Sequence, residues 1–366
     1  MRTRSIAVAL LLTGLLAGCT SGPPPVPETS GHAETPPTDP GVAPVGQATV
    51  IASGLAAPWS MVRLPSGSTL ISERDTGIVK ELEADGAVRE VATIAGVDHN
   101  GEGGLLGLEV ADGSLFAYFT TGTDNRVERF PLLGDAGSYR LGDGTVILDG
   151  LKRAGNHNGG RIKVGPDGDL YVTVGDAGDS ANAQDLDSLN GKILRIELDG
   201  GIPADNPFPG SPIYSYGHRN PQGLAWDANG QLWAAEFGQN TWDELNVIEK
   251  GGDYGWPLVE GIGTDPKFKN PVLQWGTNDA SPSGLVFTQG TFFMAALRGE
   301  RIWAIHPHDP IGNVPWFVGE FGRIRDVVEG PNGTLWFLTN NTDGRGDPKE
   351  GDDKLVQFRL ETAVEG

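Results

Sequence analysis

One phrase recurs along the chain: a turn ending in glycine, one or two residues, and then an apolar or aromatic run. It reads LPSGSTLISER at 64–74, ADGSLFAYF at 111–119, GPDGDLYVTVGD at 165–176, DANGQLWAAEFG at 227–238 and GPNGTLWFLTN at 330–340. Asp-Gly and Asn-Gly supply the positive φ that tight hairpins need. The turn glycines Gly67, Gly113, Gly168, Gly230 and Gly333 are separated by 46, 55, 62 and 103 residues. The last interval is about twice the others, and a looser copy, TQGTFFMAAL, falls inside it with Gly290. Six units of about fifty residues, each long enough for four short strands, match the period of a propeller blade. The sequence therefore predicts an all-β chain folded as a six-bladed β-propeller. A pair of sandwiches would show turns every 8–12 or so residues without this longer period, and a β-helix would repeat at much shorter intervals. Radial closure also answers the problem of exposed sheet edges. A propeller alone does not name a function.

The two ends of the chain read differently from this repeat. MRTRSIAVALLLTGLLAGC at 1–19 has two arginines, an apolar stretch and then small residues, the pattern of a secretory signal peptide. Its last four residues, Leu16-Ala17-Gly18-Cys19, resemble the bacterial lipobox, in which the cysteine is lipidated. Cys19 is the only cysteine, so no internal disulfide is available to an exported chain. Residues 20–46 contain eight prolines and no apolar periodicity, as expected of an extended tether. The globular domain is expected over 47–362. The expected location is outside the cytoplasm, anchored through Cys19, with the lipid as the only membrane attachment. The net charge of −21 argues against nucleic acid as a partner.

Unusual polar residues gather where blade loops are expected. GEGGLLG at 101–107 puts Glu102 in a glycine-rich turn, and AGNHNGGR at 154–161 carries His157 and Asn158. YSYGHRNPQG at 214–223 sets His218, Arg219 and Asn220 before a repeat strand. EFGQNTWDELN follows the next strand with Glu236, Asp243 and Glu244, and Arg298, Arg323 and Arg325 come from ALRGERIWAI and FGRIRDV. Arginine grips planar anions bidentately, so four arginines at blade starts of an acidic protein suggest a small polyanionic ligand. Against this, Arg323 and Arg325 also read as alternate strand residues paired with carboxylates. Asp243 and Glu244, with carbonyls from glycine-rich loops, suit Ca²⁺, which takes six to eight or so oxygens; a solvated turn reads equally well. There is no zinc-spaced His/Cys cluster, serine nucleophile elbow or phosphate loop.

The segments GEGGLLGLEV, HNGGRIKVGPDGDLYVTVGD, LNGKILRIELDGGIPADNPF, YSYGHRNPQGLAWDANGQLW, DELNVIEKGGDYGWP and RIRDVVEGPNGTLWFLTN resemble the soluble quinoprotein glucose/sorbosone dehydrogenases. This family includes the bacterial aldose sugar dehydrogenases. The resemblance runs in order from about 48 to 360. It implies pyrroloquinoline quinone (PQQ) and Ca²⁺ at the mouth of the propeller, oxidation of an aldose at C1 to a lactone, and an external electron acceptor. It assigns His157 as the base that takes the hydroxyl proton while hydride passes to the quinone, and Asp176 as the carboxylate that orients it. Arg219 would polarise the quinone carbonyl, and Glu102, Asn220, Arg298, Arg323 and Arg325 would line the cofactor. The backbone carbonyls of Gly238 and Gln239 would ligate its Ca²⁺. Glu244 and the Tyr254 region match a second, structural Ca²⁺ site.

The chain departs from the family's usual residues at three positions. Glutamine is usual where Glu102 stands, Gly-Pro where Gly238-Gln239 stands, and lysine where Arg298 stands. Loops between 256 and 285 are shorter than in the large glucose-specific members, which suggests an open site. His218 reads as a packing residue, and His99, His306 and His308 carry no expected role. Two other classes remain open: a Ca²⁺-dependent lactonase-type hydrolase, with metal held deep in the channel by carboxylates and asparagines, and a catalytically silent binding propeller.

Overall fold

The computed structural model describes residues 41–362. The strands form six antiparallel sheets. Pro58–Arg63, Thr69–Glu73, Ile78–Leu82 and Val88–Thr93 make the first; Leu105–Ala111, Ser114–Thr120, Asn125–Leu133 and Thr145–Leu151 the second; Ile162–Val164, Leu170–Val174, Lys192–Ile196 and Ile213–Tyr216 the third. Pro221–Trp226, Leu232–Glu236, Trp242–Ile248 and Leu273–Gly276 make the fourth; Pro282–Thr288, Thr291–Ala296, Arg301–His306 and Asp309–Trp316 the fifth. Ile324–Glu329, Thr334–Thr339 and Lys354–Thr362 begin the sixth, and Val42–Ser53 completes it from the other end of the sequence. The first strand of each sheet touches the first strand of the next, and Pro58–Arg63 meets Ile324–Glu329 to close the ring. This is the six-bladed propeller that the repeat predicts.

The recurring phrase marks the same place in every blade: the hairpin between first and second strands, followed by the second strand. All six turn glycines, Gly290 included, have positive φ. Each second strand is buried along its whole length, because both of its faces meet neighbouring sheets. That double burial explains why these runs are continuously apolar or small rather than alternating. The core is correspondingly divided. Phe116 and Tyr118 pack with Val172 and Leu194 between the second and third blades, and Phe293 and Ile302 with Phe337 and Phe358 between the fifth and sixth.

The expected signal peptide with Cys19, and the tether as far as residue 40, lie outside the described residues. Where the domain begins differs from expectation: the closing strand starts at Val42, not at 47. Val42 and Ala43 pair with Thr362 and Glu361, and Val42 is buried beside Phe358 and Leu360. The proline-rich character of the preceding segment hides a strand whose partners lie three hundred residues away. Among the described residues, no helix is long and apolar enough to cross a membrane.

Candidate active site

In an antiparallel blade the first strand begins, and the second strand ends, at the same end of the sheet. Connections from one blade to the next, and from second to third strands, therefore gather on one face around the axis. Every residue expected at the site except Tyr254, which lies between the third and fourth strands of the fourth blade, is on such a connection or beside it. Glu102, His157, Arg219, Asn220 and Arg323 precede first strands, whereas Asp176, Gly238, Gln239 and Arg298 follow second strands. All of these except Asp176 line a cavity of about 490 Å³, together with Trp59, Arg74, Arg325 and Arg345. Of its charged walls, six are arginines and only Glu102 and Asp243 are carboxylates. The cavity is thus cationic although the chain carries a net charge of −21.

His157 lies on this wall, 9% exposed, and its Nδ1 is 2.7 Å from Oδ1 of Asp176. Asp176 is 1% exposed and also accepts the indole N–H of Trp256 at 2.9 Å and the Gly178 N–H at 2.8 Å. Burial works to raise its carboxyl, but the hydrogen bond and charge of His157, with Trp256 and Gly178, hold it below the ordinary carboxylate range. An ionised carboxylate at Nδ1 fixes the proton there and leaves Nε2 as the lone-pair nitrogen. His157 has a φ of +56°, a conformation that costs on the order of 1 kcal/mol outside glycine. Its own N–H, donated at 2.9 Å to Oε2 of Glu102, holds it there.

Glu102 is ionised as well. Burial raises its carboxyl, but the His157 N–H and the Arg345 guanidinium, whose Nη1 donates to Oε1 at 2.7 Å, together bring it below its usual range. The deeper arginines are balanced by Asp343, whose Oδ2 accepts Nη2 of Arg323 at 2.9 Å and lies 3.7 Å from Nη2 of Arg325. Arg325 also donates to Asn340 and Gln222, and its desolvation, set against the charge of Asp343, leaves its basicity pushed down to about 9. Arg323 and Arg325 are thus paired with Asp343 and also line the cavity. Arg298 makes no hydrogen bond or ion pair among the described residues and is exposed at the rim. Arg219 reaches Oε1 of Gln239 at 2.9 Å and stacks its guanidinium on Trp256 at 5.6 Å. Asn220 accepts the Gly159 N–H at 3.0 Å.

The Gly238-Gln239 loop is anchored from behind. The N–H groups of Gln239, Asn240, Thr241 and Trp242 all donate to one oxygen of Glu260, at 2.7 to 3.2 Å, and Gly238 N–H to Asp243 at 2.8 Å. In a trans peptide the C=O points opposite to the following N–H. The carbonyls of Gly238 and Gln239 consequently point away from Glu260 and are available as oxygen ligands. A Cβ at Gly238 would stand 1.7 Å from the carbonyl oxygen of Trp242, so only glycine fits.

Glu244 and Tyr254 meet at a separate small cavity of about 10 Å³, shared with Glu236 and Glu260, roughly the space of one water-sized sphere. Burial, with Glu236 and Glu260 nearby, pushes the Glu244 carboxyl up to about 7. The Tyr254 hydroxyl is engaged by the Val247 carbonyl and the Glu249 N–H, so the phenol itself is committed elsewhere. His218 is buried between Ser215 and Glu236 and stacks on Tyr254 at 4.7 Å, the packing role expected of it. No group of three or more His, Cys, Asp or Glu side chains placed to hold a metal occurs among the described residues.

Contributors that the sequence alone did not single out include Trp59, Arg74, Trp256, Glu260, Asp343 and Arg345. Trp256 stood within the quoted DYGWP segment, and its signal was a tryptophan in a glycine-rich loop. Asp343 and Arg345 follow a repeat strand directly, the position that Asp176 and Gly238 occupy in other blades.

The site is thus a histidine–carboxylate pair opening onto an arginine-lined mouth at one end of a six-bladed propeller. The sequence profile described as Glucose / Sorbosone dehydrogenase matches residues 55–347, and the chain belongs to this family of oxidoreductases. It is 31% identical to the aldose sugar dehydrogenase YliI of Escherichia coli over 81% of this chain and 90% of that one. It is 34% identical to quinoprotein glucose dehydrogenase B of Acinetobacter calcoaceticus, over 59% of this chain and 53% of that one. The structure of the PQQ-bound aldose sugar dehydrogenase of Streptomyces coelicolor superposes with a TM-score of 0.82 at 44% identity, covering 87% of this chain and 100% of that one.

Proposed function

We propose that this site oxidises aldoses at the C1 hydroxyl to lactones, with PQQ and Ca²⁺ held at the propeller mouth and an external acceptor removing the electrons. The observation that carries the reading is the His157–Asp176 pair opening onto a cavity lined by six arginines. The residues suit the cofactor's chemistry: a rigid tricarboxylate needs concentrated positive charge, and Arg325 is a largely desolvated cation whose neighbours compensate it incompletely. Arg219, Asn220, Arg298, Arg323 and Arg325 would hold the carboxylates and quinone oxygens, and the carbonyls of Gly238 and Gln239 the Ca²⁺. Glu244, beside the small cavity that it shares with Tyr254, would hold a second, structural Ca²⁺. The cofactor would supply the two-electron acceptor that side chains lack, with Ca²⁺ as its Lewis acid.

The chain's own residues do the rest. Nε2 of His157 takes the proton from the C1 hydroxyl as the C1–H bonding pair leaves. Asp176 stabilises the imidazolium that forms, while Trp256 and Gly178 keep the carboxylate in place. Arg219, held over Trp256, would supply a cation for negative charge developing on the acceptor. Lipidation of Cys19 would tether the enzyme outside the cytoplasm.

The test is reconstitution. Purified apo-protein given PQQ and Ca²⁺ is expected to reduce an artificial acceptor when aldoses are added. Absence of quinone binding at micromolar concentrations would overturn the reading in favour of a silent binding scaffold. Lactone hydrolysis with Ca²⁺ alone would instead place the chain among hydrolases.

A further inference from the structure

The loop between the second and third strands of the sixth blade carries two charged residues with opposite tasks. Asp343 turns inward to Arg323 and Arg325, and Arg345 turns outward to Glu102, a residue 243 positions away. The Arg345 N–H in turn donates to Oδ1 of Asp343 at 2.9 Å, so the two are held by one turn. Glu102 has only two carboxylate oxygens, and both are used: Oε1 by Arg345 and Oε2 by the N–H of His157. One carboxylate therefore ties the rim of the sixth blade to the loop of the base. It also brings a negative charge into a cavity otherwise suited to a polyanion.

We propose that Arg345 is a positioning residue for the base loop: it fixes the Glu102 carboxylate that holds the His157 amide, and it keeps that carboxylate ionised and cancelled beside a polyanionic occupant. The second half rests on the functional reading above; the first does not. Arg345 is 58% exposed and Glu102 20%, so direct attraction from Arg345 to a deep ligand is weakened by solvent screening. Its effect passes through Glu102. The other charged groups that act on Glu102 are Arg219, Arg325 and His157, and Arg74, Arg298, Arg323 and Asp243 share its cavity wall. Without Arg345, burial of Glu102 goes less opposed, and a bound polyanion adds repulsion. The carboxyl then gains a proton when the polyanion binds.

Proton linkage separates this role from simple loss of a cation. Apo-protein is titrated with PQQ and Ca²⁺ at several values between about pH 5 and 8, where carboxyl and imidazole groups change charge, for wild type, Arg345→Met, Glu102→Gln and the double variant. Arg345→Met is expected to bind more weakly at the alkaline end, on the order of tenfold, and to recover as pH falls. This additional pH dependence is expected to vanish in the double variant, where no carboxyl remains to titrate. Identical pH profiles for Arg345→Met and wild type, or the same extra slope in the double variant, overturn the charge-compensation role. Failure of the wild type to bind the quinone is a failure of the functional reading instead. The positioning role is then decided on apo-protein alone by hydrogen exchange at residues 155–158. Faster exchange in Arg345→Met than in wild type, with no further change on adding it to Glu102→Gln, supports the role; unchanged exchange overturns it.

Discussion

Asp176→Asn isolates the part of the site that the mechanism depends on most. The carboxylate is 1% exposed and receives three donors: His157 and Gly178 on Oδ1, Trp256 on Oδ2. An amide of the same shape has one oxygen to offer. With that oxygen at the Oδ1 position, His157 keeps its tautomer but the N–H₂ faces the Trp256 indole N–H. With it at the Oδ2 position, Trp256 is satisfied, but the N–H₂ faces Gly178 N–H and forces the imidazole proton onto Nε2, where it blocks proton abstraction. Either arrangement leaves one donor unpaired, costing about 1–3 kcal/mol of stability. Either also removes the negative charge that stabilises the imidazolium. General-base assistance is worth about 10² to 10⁴ in rate, and loss of an orienting carboxylate elsewhere reaches the upper end of that range. Turnover is therefore expected to fall by about 10² to 10⁴, or roughly 3–5 kcal/mol of barrier. Asp176 is not on the cavity wall, so quinone affinity is expected to be retained. The assay is steady-state turnover of an aldose with an artificial acceptor, at saturating PQQ and Ca²⁺, with quinone binding measured separately. A variant that binds the quinone and turns over within a factor of about three of wild type refutes the assignment of Asp176.

Three more outcomes follow from the same geometry. Gly238→Ala places a methyl 1.7 Å from the Trp242 carbonyl; a displacement of about 1 Å in such a loop is worth on the order of 10² in rate, so Ca²⁺-dependent activity should collapse while circular dichroism stays unchanged, and retained activity would count against the carbonyl ligands. Asp176, Glu102 and Asp343 are each raised by burial, but their cationic and hydrogen-bonding partners hold them below the ordinary range; the stability they contribute is present above about pH 4–4.5 and is lost as pH falls through their folded values. Chemical unfolding of wild type should therefore steepen in acid below about pH 4, and Asp343→Asn should flatten that slope. A chain starting at residue 54 lacks Val42–Ser53 and exposes Lys354–Thr362 as a sheet edge; it is expected to lose cooperative melting and to associate, and a wild-type melting curve would show that closure by this strand is dispensable.

What the sequence made legible and what it hid divide along a physical line. The second strand of each blade is buried on both faces and follows a hairpin whose positive-φ glycine is a local requirement, so a few adjacent residues announce it six times over. The closing strand has no such signal. Val42–Ser53 is exposed at several positions, and what makes it a strand is Lys354–Thr362 at the far end of the chain. The site divides in the same way. His157, Asp176, Arg219 and Gly238 stand in runs whose glycines and asparagines betray a constrained loop. Asp343 and Arg345 stand in an ordinary acidic turn, NTDGRGD, and acquire their meaning from partners that the ring closure brings across the mouth. The carboxylate at 102 shows the consequence for inference from one residue at a time. Taken singly, Glu102 opposes a polyanionic ligand; taken with Arg345, it is a neutral pair whose remaining oxygen holds the His157 loop. A departure at one position of a charged site is interpretable only after its counter-ion has been found, and in a closed propeller that counter-ion can come from any blade.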